Sequence, residues 1–231
     1  MARAGAGVYS PAMRPESEKH LGRKKRVLDG GSVLVNASAL AGRWNLGEVF
    51  GNARPVELEI GIGKGTFLTA RATARPEINF IGLEYAGAYA KYAADRCRRA
   101  GFENVRILAA EANQFVSMAL ADASLFRVHI YFPDPWPKRK HNRRRLIQPA
   151  FLDQLRRVLR PGGQLLVVTD HMDYFQQIRK VFSHASHARG FVVVPFPRMA
   201  DESGQIVGTN FERKYIAQGR PFYSMALLRY E

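Results

Sequence analysis

Short apolar runs alternate with longer amphipathic segments from about residue 55 to the end of the chain. The runs that have the length and the β-branched or aromatic content of strands are VELEIG, NFIGLE, VRILAA, FRVHIYF, QLLVVTD, FVVVPF and FYSMALLRY. Most of them are apolar almost throughout, which is typical of strands buried on both faces of a parallel sheet. FYSMALLRY instead alternates apolar and polar residues, and we expect it to be an edge strand.

The segments between these runs have helical spacing. They predict a helix that ends near residue 74 and further helices over about residues 86–100, 112–120, 146–159 and 174–189. Strands that alternate with helices predict an α/β fold, with a seven-stranded, mostly parallel sheet and helices on both faces.

The first thirty residues have a different composition. They are polar, basic and interrupted by Pro and Gly, and the stretch KHLGRKKR (residues 19–26) holds five Lys or Arg residues. We therefore predict a flexible basic arm over residues 1–30, followed by a single domain over residues 31–231.

The charge balance narrows the class of partner. A net charge of +15 and an isoelectric point near 10.4 favour a polyanion, either nucleic acid or an acidic membrane surface. No stretch approaches eighteen apolar residues and the N-terminus lacks an apolar signal sequence, so a membrane or secreted location is not expected. Cys97 is the only cysteine, which fits a reducing cytoplasm.

Acidic side chains collect where the predicted strands end. Each of the first five strands carries a carboxylate at its C-terminal end, and these residues are Glu59, Glu84, Glu111, Asp134 and Asp170. In parallel α/β sheets, ligands bind outside the carboxyl ends of the strands. This edge of the sheet is therefore the predicted functional site.

The first strand leads into the glycine-rich turn EIGIGKGTF, where Gly61 and Gly63 allow a tight turn and a close approach of ligand to backbone. Thr66 stands where the dinucleotide fingerprint has its third glycine, which disfavours NAD. Glu84 can accept hydrogen bonds from both hydroxyls of a ribose. Glu59, just before the first glycine, favours a ligand with positive charge. S-adenosylmethionine has a ribose, an ammonium and a sulfonium, and it fits both acids.

The fourth strand runs into YFPDPWPKRKHNRRR (residues 131–145). Pro133 and Pro135 restrict the backbone on either side of Asp134, which holds the acid at the strand end. Trp136 could stack on a base or close the pocket. The second half of the segment holds six Lys or Arg residues, as a phosphate-binding surface would.

Six segments, EIGIGKG, GLE, YFPDPWPKRKHNRRR, LRPGG, VVTD and TNFERK, carry a resemblance to a known family. In their order and spacing the chain resembles the tRNA (guanine-N7)-methyltransferases over roughly residues 55–231. The resemblance implies a Rossmann-like class I methyltransferase that uses S-adenosylmethionine. It also implies methyl transfer to N7 of the guanosine at position 46, in the variable loop of tRNA.

The resemblance implies roles for individual residues. Asp134 would be the catalytic acid. The cofactor would contact Glu59, Glu84, Glu111 and Asp134, together with the turn residues Gly61 and Gly63. The RNA substrate would contact Lys138, Asp170, Thr209, Asn210, Phe211 and Glu212. The tRNA backbone would face Lys140, Arg143, Arg144 and Arg145.

Two other functions are compatible with the sequence. One is a methyltransferase of the same fold that acts on another amine or base, although such enzymes usually have a Pro-Pro-aromatic loop in place of FPDPW. The other is a non-catalytic RNA-binding protein, which would have no use for acids at five strand ends. We expect no metal site, because His184 and His187 have no acid or cysteine at ligand spacing. Tyr85, Tyr89 and Tyr92 recur at helical spacing and are interpreted as packing residues. Monomer and homodimer are both compatible with the sequence.

Overall fold

The computed structural model describes residues 27–36, 42–183, 190–199 and 205–230. All but the last four positions of the predicted arm, and both His184 and His187, lie outside the described residues. The boundary between arm and domain therefore stays a prediction.

One mixed sheet forms the centre of the protein. Its strands are β1 (Leu34–Val35), β2 (Val56–Ile60), β3 (Asn79–Glu84), β4 (Val105–Ala109), β5 (Leu125–Tyr131), β6 (Leu159–Thr169), β7 (Phe191–Val194) and β8 (Tyr223–Arg229). The strand order is β1-β4-β3-β2-β5-β6-β8-β7, and only the pairs that involve β8 are antiparallel. The predicted mostly parallel α/β fold is confirmed. The described sheet has eight strands rather than seven, because the two-residue β1 is too short to leave a pattern in the sequence.

Helices connect most of the strands. They are α1 (Leu46–Phe50), α2 (Thr66–Ala74), α3 (Gly87–Arg99), α4 (Ala112–Gln114), α5 (Pro149–Val158), α6 (Met172–Ser183) and α7 (Asn210–Ala217). A π-helical turn at Phe115–Ala119 continues α4, and a 3-10 turn spans Arg139–Arg144. The helix expected from residue 146 begins at Pro149, since proline is favoured in the first helical turn. Neither α1 nor α7 is predicted by apolar spacing.

The last strand is not at the edge. β8 pairs with β6 on one side and β7 on the other, so the expectation of an edge strand is wrong. The edge is β7, whose Val192 and Val193 are exposed. The alternation along FYSMALLRY does not correspond to one buried face, since the adjacent residues Ala226 and Leu227 are both buried. It also contains no information on how many neighbours the strand has.

The centre of the sheet positions the site. β2 lies between β3 and β5, so the strand order changes direction at its two sides. All five residues of β2 are buried, Glu57 and Glu59 included. Connections from β2 and β5 leave in opposite directions at this point, which opens a crevice at the carboxyl ends of the strands.

Candidate functional site

A cleft of about 800 Å³ opens at the carboxyl ends of β2, β3, β4 and β5, beside the start of α7. Its walls include the predicted cofactor residues Glu59, Gly61, Gly63, Glu84, Glu111 and Asp134. They also include Thr209, Asn210, Phe211 and Arg144 from the predicted substrate side. The residues Lys138, Lys140, Arg143, Arg145, Asp170 and Glu212 lie outside the lining of the cleft.

The glycine turn requires glycine. Gly61 and Gly63 have φ angles of +81° and +52°, a region that side chains with a Cβ rarely adopt. A Cβ at either position would meet nothing within 4 Å, so no protein atom covers the backbone on that side. The amides of Gly61 and Ile62 both donate to the carbonyl oxygen of Leu83, which ties the turn to the end of β3.

Glu84 is held by the same turn. Its carboxylate accepts from the backbone amide of Gly63 at 2.8 Å and from that of Ala86 at 3.0 Å. Each carboxylate oxygen accepts only one of these bonds, so each keeps a lone pair for a ligand. This geometry fits an acid that accepts from ribose hydroxyls.

Glu59 is a buried carboxylate that lacks a complete set of partners. Its side chain lines the cleft, only 4% of the residue is exposed, and Oε2 has no hydrogen-bond partner among the described residues. Burial and then the neighbouring charge of Glu84 raise the pKa of Glu59 to about 8. A cationic ligand would satisfy the unpartnered oxygen, which is the fit expected for the ammonium or sulfonium of S-adenosylmethionine.

Glu111 is also the N-cap residue of α4. Its carboxylate caps α4 by accepting from the amides of Asn113 at 3.0 Å and Gln114 at 2.8 Å. The residue is exposed and lines the same cleft as the glycine turn. The cap fixes the direction of the carboxylate at the end of β4.

Asp134 projects from a constrained loop. The side chain is exposed and lines the cleft. Phe132 and Trp136, two residues to either side, have φ angles of +51° and +42°, which is strained for bulky aromatic residues. Such strain persists only where the surroundings enforce it, and it is found mainly at functional sites.

Arg145 lies inside the fold, unlike the other cations of its segment. Its guanidinium donates to the carbonyl oxygen of Pro135 at 2.7 Å, to Gln177 at 2.7 Å and to Asp173 at 2.5 Å, and it stacks on the ring of Tyr174. Only 2% of the residue is exposed, so it presents no charge to an RNA backbone. This corrects the prediction that placed it with the surface cations.

The remaining cations of the segment are exposed, and these are Lys138, Arg139, Lys140, Arg143 and Arg144. Arg144 lines the cleft and its guanidinium stacks on the ring of Trp136 at 5.0 Å. Trp136 therefore forms part of the wall of the cleft and leads to the basic surface.

The TNFE segment forms the start of α7, and its residues differ in accessibility. Thr209 is the N-cap, accepting from the amide of Glu212 at 3.0 Å. Glu212 is fully buried and its carboxylate accepts from the amides of Ile206, Val207 and Gly208. The structure therefore gives Glu212 no direct contact with a bound base, contrary to its predicted place among substrate ligands. A Thr three residues before a Glu is the sequence signature of a capping box, and that signal identifies the helix start.

Asn210 and Phe211 are exposed, unlike Glu212. The side-chain amide of Asn210 donates to Thr66 Oγ1 at 2.8 Å, which joins the start of α7 to the start of α2 behind the glycine turn. Phe211 is 51% exposed and lies beside Phe132, with ring centroids 6.4 Å apart. An aromatic face is thus available next to the Asp134 loop.

Asp170 is paired with a cation. Its carboxylate accepts from the guanidinium of Arg220, which in turn stacks on the ring of Tyr215. The side chain of Asp170 is 10% exposed, so a substrate contact would have to compete with this ion pair.

A buried polar chain under the cleft was not among the predicted site residues. His129 bonds Tyr131 Oη through Nδ1 at 2.7 Å and Glu57 through Nε2 at 2.9 Å. Burial acts to raise the pKa of Glu57, but His129 and Arg127 hold it at about 2. Since the ionised Glu57 accepts from Nε2–H, Nδ1 is left to accept from the Tyr131 hydroxyl. Tyr131 lines the cleft, so this chain fixes the hydroxyl on its floor.

The tyrosines interpreted as packing residues are exposed instead. Tyr85, Tyr89 and Tyr92 have 82%, 47% and 42% of their surface accessible. Helical spacing is the same for a buried and an exposed stripe, and Ala90, Ala93 and Ala94 form the buried face of α3. Tyr85 and Tyr89 line the cleft.

The described residues contain no group of three or more His, Cys, Asp or Glu side chains that could hold a metal ion. Within the same part of the chain, no helix has the length and apolar character needed to cross a membrane.

Similarity to known proteins covers most of the chain. A family model described as "Putative methyltransferase" matches residues 53–225. The tRNA (guanine-N(7)-)-methyltransferase of Geobacillus thermodenitrificans is 35% identical over 197 residues, which are 85% of this chain and 89% of the relative. The protein of the same name from Nitrosococcus oceani is 37% identical over 190 residues, covering 81% of this chain and 77% of the relative.

Solved structures of more distant proteins share the fold. A SAM-dependent methyltransferase from Aquifex aeolicus superposes with a TM-score of 0.52 at 15% identity, over 80% of this chain and 87% of that one. The antibiotic-resistance methyltransferase Kmr gives 0.51 at 19% identity, over 84% and 91% of the two chains. At these identities the likeness concerns the fold alone.

Proposed function

Because the chain belongs to the tRNA (guanine-N(7)-)-methyltransferase family, we propose that it methylates N7 of the variable-loop guanosine at position 46 of tRNA. It is an S-adenosylmethionine-dependent tRNA (guanine-N7-)-methyltransferase. The observation that carries the proposal is the cleft itself. It brings a buried, incompletely partnered Glu59 and an exposed Asp134 to one edge of the sheet.

The cofactor side of the cleft uses the three strand-end acids and the glycine turn. Glu84 would accept from the ribose, Glu59 would face positive charge, and Glu111 would lie near the adenine. Gly61 and Gly63 leave room for the ligand against the backbone. When bound there, S-adenosylmethionine supplies the methyl group.

Asp134 is our candidate for the catalytic residue. Guanine N7 has a lone pair and no proton, so the reaction needs no general base and depends on position and charge. The purine gains positive charge as the new bond forms. A carboxylate beside it stabilises that charge, and Asp134 is an exposed acid on the wall of the cleft.

The same carboxylate could select the base. An ionised carboxylate accepts from N1–H and the N2 amino group of guanine, and adenine offers neither pattern. Asp170 and Glu212 are less available for this role, since Arg220 and three backbone amides occupy them. Asp134 is therefore the acid that we assign to guanine.

The RNA side combines an aromatic face with surface cations. Phe211 and Asn210 at the start of α7 would flank the target nucleotide. The tRNA backbone would contact exposed cations of the segment that follows β5, namely Lys138, Lys140, Arg143 and Arg144. These contacts would offset the roughly few kcal/mol needed to expose a base that is paired in folded tRNA.

Labelled S-adenosylmethionine and unmodified tRNA test the proposal directly. We expect label in tRNA, with chain cleavage specific for N7-methylguanosine at position 46 and none in a transcript that carries adenosine there. Label at another guanosine would overturn the position, and label on another atom would overturn the reaction.

Three further assignments accompany this function. We assign residues 31–231 to one methyltransferase domain and residues 1–30 to a basic arm that adds charge for RNA. We also place the reaction in the cytoplasm, where tRNA substrate is available.

A further inference from the structure

A row of aromatic and cationic side chains runs along α3, away from the cleft. Four of the five residues are exposed and Arg96 is half-buried. Tyr85 lies just before the helix, and Tyr89, Tyr92, Arg96 and Arg99 follow at spacings of three and four residues. Such spacings place side chains on one side of a helix. These five residues form the α3 stripe.

The stripe begins inside the site and leaves it. Tyr85 and Tyr89 line the cleft, whereas Tyr92, Arg96 and Arg99 do not. Tyr92 keeps 42% of its surface accessible, and the side chain of Arg99 keeps 47%. A ligand that occupies the cleft and extends over α3 would therefore meet rings first and guanidinium groups next.

The charge around the stripe is positive. Arg96 approaches the carbonyl oxygen of Lys64, whose own side chain is exposed in the glycine turn. The one acid of α3 is Asp95, which is 2% exposed and paired with Arg99 at 3.2 Å. The surface thus offers cations and π-faces to an incoming partner.

The N-terminal part of the described chain contacts α3. Asp29 is fastened to α3, since Arg98 donates to its carbonyl oxygen at 2.8 Å. The five Lys and Arg residues of positions 19–26 come shortly before it in the sequence.

We propose that the α3 stripe is a second RNA-binding surface, which holds nucleotides of the substrate tRNA on the side of the cleft opposite Lys138–Arg144. Bases stack on Tyr89 and Tyr92, and phosphates meet Arg96 and Arg99. Stacking on exposed aromatic rings beside cations is how proteins hold unpaired nucleotides without reading their sequence. The proposal rests on the proposed function, because it takes tRNA as the substrate.

The test uses residues that lie outside the cleft. Tyr92→Ala is expected to raise the KM for tRNA about 5- to 50-fold, with the larger part of the effect in KM rather than kcat. Tyr92→Phe keeps the ring and should restore most of the affinity. Arg96→Ala should weaken tRNA binding and lower the slope of log K against log salt by about 1.

Matched controls exist at the other end of the sheet. Tyr230 is 55% exposed at the end of the antiparallel β8, and Arg54 is exposed just before β2. Tyr230→Ala and Arg54→Ala remove an equal ring and an equal charge far from the cleft. Both should leave the tRNA KM within about twofold of the parent.

The Kd of each variant for S-adenosylmethionine, measured by calorimetry, shows whether a raised tRNA KM reflects a loss of RNA contacts or damage to the cofactor site. An unchanged cofactor Kd with a raised tRNA KM supports the stripe as an RNA surface. A tRNA KM that stays at the parent value overturns it, and so does a parallel loss of cofactor affinity. A shift in oligomeric state without a change in tRNA binding also overturns it, because the stripe would then be a protein interface. The Kd for tRNA can be measured even if the parent protein methylates a different atom. Failure of the proposed function can therefore be told apart from failure of the α3 stripe as an RNA-binding surface.

Discussion

The guanidinium of Arg145 donates a hydrogen bond to the carbonyl oxygen of Pro135, the residue after Asp134, over 2.7 Å. The same side chain is held from the other side by Asp173 and Gln177 on α6. Arg145 therefore fastens the strained Asp134 loop to a helix. The last cation of the basic run thus holds the loop of an acid that we propose to be catalytic, while its neighbours in the run are exposed.

We predict that Arg145→Met lowers kcat by about 10-fold or more, because an unfastened loop holds Asp134 less accurately. It should also lower the free energy of unfolding by about 1–3 kcal/mol, since the carbonyl oxygen of Pro135 loses its donor. Steady-state kinetics and thermal unfolding measure the two effects.

Arg143→Met is the matched control, because Arg143 is exposed in the same segment. It should raise the KM for tRNA and spare kcat. If the Arg145 variant had the same pattern as the control, a phosphate-binding role would replace the positioning role.

The raised pKa of Glu59 predicts that the stability of the protein depends on pH. Its pKa in the folded protein is about 8, against 4.5 for an ordinary glutamate. Between these two values the folded state binds more protons than the unfolded state, so the free energy of unfolding falls as pH rises. The contribution of Glu59 is fully present below about pH 4.5 and is lost through about pH 8, by a few kcal/mol. Chemical unfolding of the parent and Glu59→Gln at several pH values should show a flatter profile in the variant.

Cofactor affinity should respond to pH in the opposite sense. A cation next to Glu59 favours the carboxylate, so binding expels the proton and affinity rises up to about pH 8, by at most about tenfold per pH unit. The amino group of the ligand titrates equally with parent and variant, and the difference between their Kd profiles isolates Glu59. Two parallel profiles would refute the assignment of Glu59 to a cationic ligand.

The sequence predicts which strand-end acids line the cleft better than it predicts the accessibility of the proposed RNA contacts. Glu59, Glu84 and Glu111 could be placed because each follows an apolar strand, and parallel strands bring their ends together. Arg145 and Glu212 could not, since a run of cations or a TNFE segment has the same letters whether a side chain faces water or the interior. The partner that decides each case, Pro135 for one and the amides of the loop before α7 for the other, is a tertiary contact.

Glu212→Gln should destabilise the protein by about 1–3 kcal/mol, because an amide has one acceptor oxygen where the carboxylate serves three backbone donors. Thr209→Ser keeps the N-cap oxygen of the same helix and should be nearly neutral. Thermal unfolding of both variants measures this difference. An unchanged stability in Glu212→Gln with a large loss of tRNA affinity would restore Glu212 to the substrate ligands.

Asp134 gives the sharpest test of how the site works. If its negative charge stabilises the purine as the methyl group arrives, Asp134→Asn should lose about 10²- to 10³-fold in kcat, nearly as much as Asp134→Ala. The Asn side chain keeps an acceptor oxygen and the size of the original, so a role limited to positioning guanine would leave the Asn variant much closer to the parent. Single-turnover rates with saturating tRNA and cofactor separate the two, because binding defects drop out. A fully active Asp134→Ala would remove Asp134 from the reaction altogether.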